Sequence, residues 1–245
     1  MTMMTTAAAF ASATTVSRGP VRSPAVAFER HDEIGLAELQ AHVPAIRRKI
    51  AQGQYLYRAG QPFAALFLVN TGCFKTCELA EDGREQVTGF RMRGDLIGVE
   101  SIGLTHFACD VVALEDGEVW ELPYPPMLTA CLRIPALQAR LTSALAEEVR
   151  RDRLWMLALG TLGAERRVAA FLLDLADRHA RLGFSGRHFI LRMSRADMAS
   201  YLALKHETVS RALSHLDALG HIEVQRREIR ILDANGLRHG SEAVH

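Results

Sequence analysis

Between Gly53 and Pro126 the chain alternates short apolar runs with glycine. Leu66-Phe67-Leu68-Val69 and Val111-Val112-Ala113-Leu114 stand among turns at Gly60, Gly72, Gly83, Gly94 and Gly98. Turn signals about every ten residues predict short strands of a sandwich or barrel. Glu81-Asp82-Gly83-Arg84 reads as a hairpin tip, because Asp-Gly favours the turns whose twist matches paired strands. Pro123, Pro125 and Pro126 close this region, since proline has no amide hydrogen to give a ladder.

Beyond Pro135 the period becomes helical. Leu137, Leu141, Leu145, Val149, Met156 and Leu159 form one stripe, with no glycine or proline until Gly160. A helix of this length needs cover for its apolar side. Its first half suits the preceding sheet, and its second half suits a second copy of the chain. Asp152 interrupts the stripe near that seam, where an unpaired charge weakens association. Gly160-Thr161-Leu162-Gly163 breaks the helix and is the candidate hinge. Glu165 to His179 then resumes as a helix with Val168, Phe171, Leu172 and Leu175 inside, followed by a loop at Gly183–Gly186.

The pattern is sharpest from Ser194 to Leu219. Ser194 with Asp197 three residues on is a capping box, and Met198 and Leu202 give a short helix an apolar side. Ala203-Leu204-Lys205 is a tight turn. Val209, Leu213 and Leu216 then mark a second helix, whose other face carries Glu207, Ser210, Arg211 and Ser214. Two helices so joined form a helix-turn-helix. Gly220 stops the second, and Ile222, Val224, Ile229 and Ile231 flank Gln225-Arg226-Arg227-Glu228 as two strands around a charged tip. After Asp233 the residues are polar and predict a frayed end.

Charge changes this picture locally. The whole chain has 29 basic and 28 acidic residues, but Ser185–Leu232 has eight Lys/Arg against five Asp/Glu. The excess falls where a helix offering Glu, Ser and Arg would read base edges, Arg against guanine and Glu against cytosine N4. Arg195, His206, Thr208, Arg226 and Arg227 complete the expected DNA-contacting set. Residues 1–28, rich in Ala, Thr and Ser, read as a disordered tail without a secretory signal. No apolar run approaches the roughly 20 residues of a membrane span, so a soluble, cytoplasmic protein is expected.

Arg195-Ala-Asp-Met-Ala-Ser-Tyr-Leu with Glu207-Thr-Val-Ser-Arg211 closely resembles the winged helix of the Crp/Fnr transcription regulators, on the Fnr/FixK side. Gly53…Gly60…Gly72…Gly83…Gly94-Asp95-Leu-Ile-Gly98 is similar to the β-roll of cyclic-nucleotide-binding domains. The resemblance runs from about residue 36 to 233. It implies an α+β chain with a β-roll sensor to residue 134, a dimerisation helix over 135–160 and a winged helix-turn-helix over 161–245. It implies a homodimer on double-stranded DNA at a TTGAT…ATCAA palindrome, working with RNA polymerase as an activator. Two departures stand in the reader: Ala203 where the family turn has glycine, and Lys205 where Ser or Thr caps the second helix.

The same resemblance raises effectors, and the residues argue against two of them. An iron–sulfur cluster needs N-terminal cysteines and one before Glu-Leu-Pro, but no Cys precedes Cys73 and Trp120 stands before Glu121-Leu122-Pro123. Cyclic-nucleotide binders carry Glu after the Gly-Asp-Leu-Ile-Gly turn and Arg-Ser or Arg-Thr later, whereas this chain has Val99 and Ala108-Cys109-Asp110. No cofactor or metal is expected. The rival reading is a thiol or haem redox sensor switched through Cys109, with His106 as the other candidate ligand. No nucleophile–base pair or carboxylate cluster points to an enzyme.

Overall fold

The computed structural model describes residues 40–79 and 83–239; the expected tail and the Glu81-Asp82 hairpin tip lie outside the described residues. Eight antiparallel strands come first: β1 (Ile46–Ile50), β2 (Tyr55–Tyr57), β3 (Ala65–Thr71), β4 (Phe74–Leu79), β5 (Glu85–Arg91), β6 (Leu96–Ile97), β7 (Asp110–Ala113) and β8 (Gly117–Pro123). They make two four-stranded sheets in the orders β1-β8-β3-β6 and β2-β7-β4-β5, the arrangement of a jelly roll. Glycine is required where the β3–β4 turn meets β8. Gly72 has φ 89°, and a Cβ there would stand 2.7 Å from the Gly117 Cα. At the other end Asp95 accepts a hydrogen bond from the Met92 amide (2.8 Å) and closes the turn at Gly94.

Between the sheets Tyr57 stacks on Phe107 at 3.7 Å and both pack with Phe67, Phe74, Val111 and Val119. Helix α1 (Tyr124–Arg133) starts at the prolines, which are tolerated in a first turn where amides lack partners anyway. Helix α2 (Pro135–Thr161) follows, and only Leu137 and Leu141 are fully buried, against Leu66, Val99, Leu122 and Met127. Leu145 and Leu159 are half-buried, whereas Val149, Asp152 and Met156 are exposed. Helix α2 ends at Leu162-Gly163, and α3 (Ala164–Arg181) turns back along the roll.

The remainder is β9 (His188–Ile190), α4 (Arg195–Tyr201), α5 (His206–Ala218), β10 (Ile222–Gln225), β11 (Glu228–Ile231) and α6 (Ala234–His239). Two expectations are corrected here. The wing has three strands, in the order β10-β11-β9, because His188–Ile190 pairs with Glu228–Arg230. The expected frayed end is instead helix α6, capped by Asp233, which accepts from the Asn235 amide (3.0 Å), and anchored by buried Leu237. The largest apolar core joins the two parts of the chain. Cys77, Val87, Phe90 and Met92 of the roll pack with Phe171, Leu172 and Leu175 of α3 and Met198 of α4.

Candidate nucleic-acid interface

Helix α4 is seven residues long and depends on its cap. Ser194 Oγ accepts from the Asp197 amide (3.0 Å), and Asp197 Oδ2 accepts from the Ser194 amide (2.9 Å). Lys75 of β4 adds a 2.9 Å ion pair to Asp197 Oδ1, so the roll reaches the cap directly. Burial opposes it, but the bonds from Ser194 and Lys75 hold the Asp197 carboxyl below the usual aspartate range. Edge strand β5 grips the same helix, with the Val87 amide donating to Ser200 Oγ (2.8 Å) and Gln86 Nε2 to the Ser200 carbonyl. A helix laid over a sheet edge satisfies groups that would otherwise invite foreign strands.

The turn after α4 runs through Leu202, which is fully buried, and Ala203, whose φ is 51°. That is the left-handed region, costly for any residue with a Cβ. Helix α5 buries Val209, Ala212, Leu213 and Leu216. His206, Glu207, Ser210, Arg211 and Ser214 are exposed on its other side, and Thr208 is half-buried. No side chain caps the start of α5 at Lys205, although Glu207 stands in its first turn. Ser210 donates to the His206 carbonyl (3.1 Å), which leaves its oxygen lone pairs outward. Among the described residues the Arg211 guanidinium bonds only the Thr208 hydroxyl (3.4 Å). Four of its donors are thus open to a base or phosphate.

At the wing tip Arg226 (φ 57°) and Arg227 are exposed. Leu191 donates its amide to the Arg227 carbonyl (2.8 Å), and Arg195 Nη2 donates to the Arg226 carbonyl (3.1 Å). Arg195 therefore braces the wing. Burial, and then the neighbouring Arg227 charge, lower its pKa. His206, 3.4 Å from Glu207, and His215, 2.5 Å from Glu165, are both exposed, and His221, 3.5 Å from Asp233, is half-buried.

Three contacts that position this face have no local sequence signal. Besides Lys75 and the β5 edge, Arg167 bonds the carbonyls of Leu159 (2.8 Å), Leu162 (2.9 Å) and Leu202 (3.1 Å), joining the end of α2 to the helix-turn-helix. In the roll, Cys109 is buried, and its thiol donates to Glu100 Oε1 (3.3 Å), which also accepts from Tyr57 (3.0 Å). Burial, then Glu100, push the Cys109 pKa up, which disfavours the reactive thiolate. The residues at the cyclic-phosphate positions do not fit that ligand: Val99 is buried, Cys109 is bonded to a carboxylate, and Asp110 accepts from the Ala59 amide (2.7 Å).

A jelly roll, a long helix and a winged helix-turn-helix with an outward Glu–Ser–Arg face define a sequence-reading regulator. Residues 166–239 match the Crp-like helix-turn-helix domain, and residues 47–133 the cyclic nucleotide-binding domain. The chain is 34% identical over 219 residues to the transcriptional regulatory protein btr of Bordetella pertussis, covering 89% of this chain and 87% of that one. It is 34% identical to the transcriptional activator protein FnrA of Stutzerimonas stutzeri, covering 78% of each. The solved structure of FixK2 from Bradyrhizobium japonicum superposes with a TM-score of 0.74 at 30% identity, covering 82% of this chain and 99% of that one. The chain belongs to the Crp/Fnr family of DNA-binding transcription regulators. Among the described residues no helix is long and apolar enough to cross a membrane.

Proposed function

We propose that this regulator acts in the cytoplasm as a homodimer, with a β-roll to residue 134, a dimerisation helix over 135–160 and a DNA-reading domain beyond. Each subunit reads one half of a TTGAT…ATCAA-like palindrome. The observation that carries the reading is the geometry of α5. Val209, Leu213 and Leu216 are buried while Glu207, Ser210 and Arg211 are exposed, as are Arg226 and Arg227 at the wing tip. Arg211 donates to guanine O6 and N7, Glu207 accepts from cytosine N4, and Ser210 meets a thymine edge. The wing arginines and the uncapped start of α5 meet phosphates, which position the protein without reading sequence. Two such helices on a two-fold axis stand about 34 Å apart, one turn of the duplex.

The regulator works with RNA polymerase as an activator; the activator role is supported by its similarity to the transcriptional activator protein FnrA of Stutzerimonas stutzeri. It does so without a cyclic nucleotide, because the roll sets Val99, Cys109 and Asp110 where a phosphate would need cations. Selection of binding sites from random duplexes tests the reading. Enrichment of TTGAT-like half-sites is expected. Enrichment of no such half-site overturns it.

A further inference from the structure

A groove of about 300 Å³ opens where the turn after β5, the middle of α2 and the end of α3 meet. Arg140, Ala144, Glu147 and Arg151 recur at helical spacing and make one wall. Arg178 and Arg181 of α3 make a second, and Arg93 to Leu96 of the roll the third. The volume is at the small end of the range for ligand sites. It shares no residue with α5 or the wing, nor with the Tyr57–Cys109 interior of the roll.

The groove is short of negative charge. Asp95 is paired with Arg178 at 2.5 Å and lies 3.9 Å from Arg151. Glu148 serves both Arg151 (3.2 Å) and Arg91, and Glu147 serves both Arg150 and Arg181, each at 3.1 Å. Five guanidinium groups line the groove, those of Arg93, Arg140, Arg151, Arg178 and Arg181, against the three carboxylates of Asp95, Glu147 and Glu148. Asp174, 4.0 Å from Arg178, stands outside the groove lining. Arg91 Nη1 is buried without an acceptor. Arg93 and Arg140, on the exposed rim, have neither an ion-pair nor a hydrogen-bond partner among the described residues.

We propose that this groove binds a small organic polyanion bearing two or more phosphate or carboxylate groups, held by Arg93, Arg140 and Arg181. Guanidinium forks match both kinds of oxyanion in bidentate pairs. Met92, Leu96 and Leu182 supply an apolar floor for the rest of such a molecule. Because the walls come from the roll, the long helix and the first helix of the reader, occupancy fastens all three together. Binding is thereby coupled to the arrangement in which the reader is docked on the roll.

The test uses the full chain at constant ionic strength, titrated calorimetrically with pyrophosphate, ATP and citrate. At least one probe should saturate at one per chain with Kd below about 1 mM. Arg93→Ala with Arg140→Ala should weaken that binding roughly tenfold or more, since both cations meet the anion directly. The same double variant should keep its affinity for DNA, and Arg226→Ala with Arg227→Ala should keep affinity for the probe. Preference for pyrophosphate or ATP identifies a phosphorylated ligand, and preference for citrate a polycarboxylate; either supports the site. No saturation by any probe, binding unmoved by the Arg93 and Arg140 changes, or binding lost in the wing variant overturns it.

Discussion

At the residue scale, the proposed reading face would separate specificity from affinity. Arg211→Ala should cost about 1–3 kcal/mol of DNA binding and relax the preference at guanine, measured by titrating duplexes that vary at that base. Glu207→Ala should broaden the selected sequences more than it weakens them, because a carboxylate near phosphates is favourable only when a base donor meets it. An unchanged preference in either variant would move the contact to another face of α5. Ala203 presents the opposite case, a residue whose cost is confined to folding. Its φ of 51° strains a residue with a Cβ, and its side chain is exposed. Ala203→Gly should raise stability by about 1 kcal/mol, or roughly 2–4 °C in a chain of this size, by calorimetry. The sequence marks Ala203 and Lys205 as departures from the family turn, and the backbone explains the first as strain and the second as an uncapped helix.

At the element scale, the docking of α4 on the roll includes one cation between two carboxylates, beside the β5 edge and the shared apolar core. Lys75 lies 2.5 Å from Glu85 and 2.9 Å from Asp197. Although burial opposes it, these partners raise the Lys75 pKa, and Ser194 and Lys75 lower that of Asp197. A depressed carboxyl stabilises above its unfolded value near pH 4 and loses that contribution as pH falls through its lower folded value. A raised ammonium stabilises below its unfolded value near 10.4 and loses that contribution as pH rises through its higher folded value. Lys75→Met should therefore lower the melting temperature by a constant amount from about pH 5 to 9, and the gap should close below pH 4. A gap independent of pH down to about pH 3 would assign Lys75 a packing role alone. Elements with a repeated local period, such as the α5 stripe of Val209, Leu213 and Leu216, are legible in the sequence. Strand β9, with three residues, is too short to show alternation, and the six residues of α6 hold a single buried leucine. Lys75 and Asp197 are 122 positions apart, and Arg178 and Asp95 83 apart, so no spacing rule connects them.

At the scale of the molecule, α2 carries the argument for a dimer and also divides it. Leu137 and Leu141 belong to the roll's own core, and Leu145 packs beside them. Substituting any of these would damage the monomer as well as an interface. Beyond Leu145 the helix turns Glu148, Arg151 and Trp155 inward, with Trp155 against Tyr201 at 4.8 Å. The opposite side leaves Met156 71%, Leu154 and Leu157 55% and Val149 50% exposed, a run of large apolar groups on a helix that also presents Asp152. Soluble monomers seldom leave such a patch open, and two helices sharing it on a two-fold axis would cover it. Asp152 makes no ion pair among the described residues, so each subunit would bring a like charge to the seam. Met156→Asp should then convert dimer to monomer in sedimentation at micromolar concentration while leaving the melting temperature of the roll nearly unchanged. Asp152→Ala should act in the other direction, tightening the dimer by about 1 kcal/mol or more. DNA affinity should follow both, because a palindrome rewards two joined readers far more than two separate ones. A wild-type chain that sediments as a monomer yet binds the palindrome tightly would show that the exposed half of α2 serves something other than a twin.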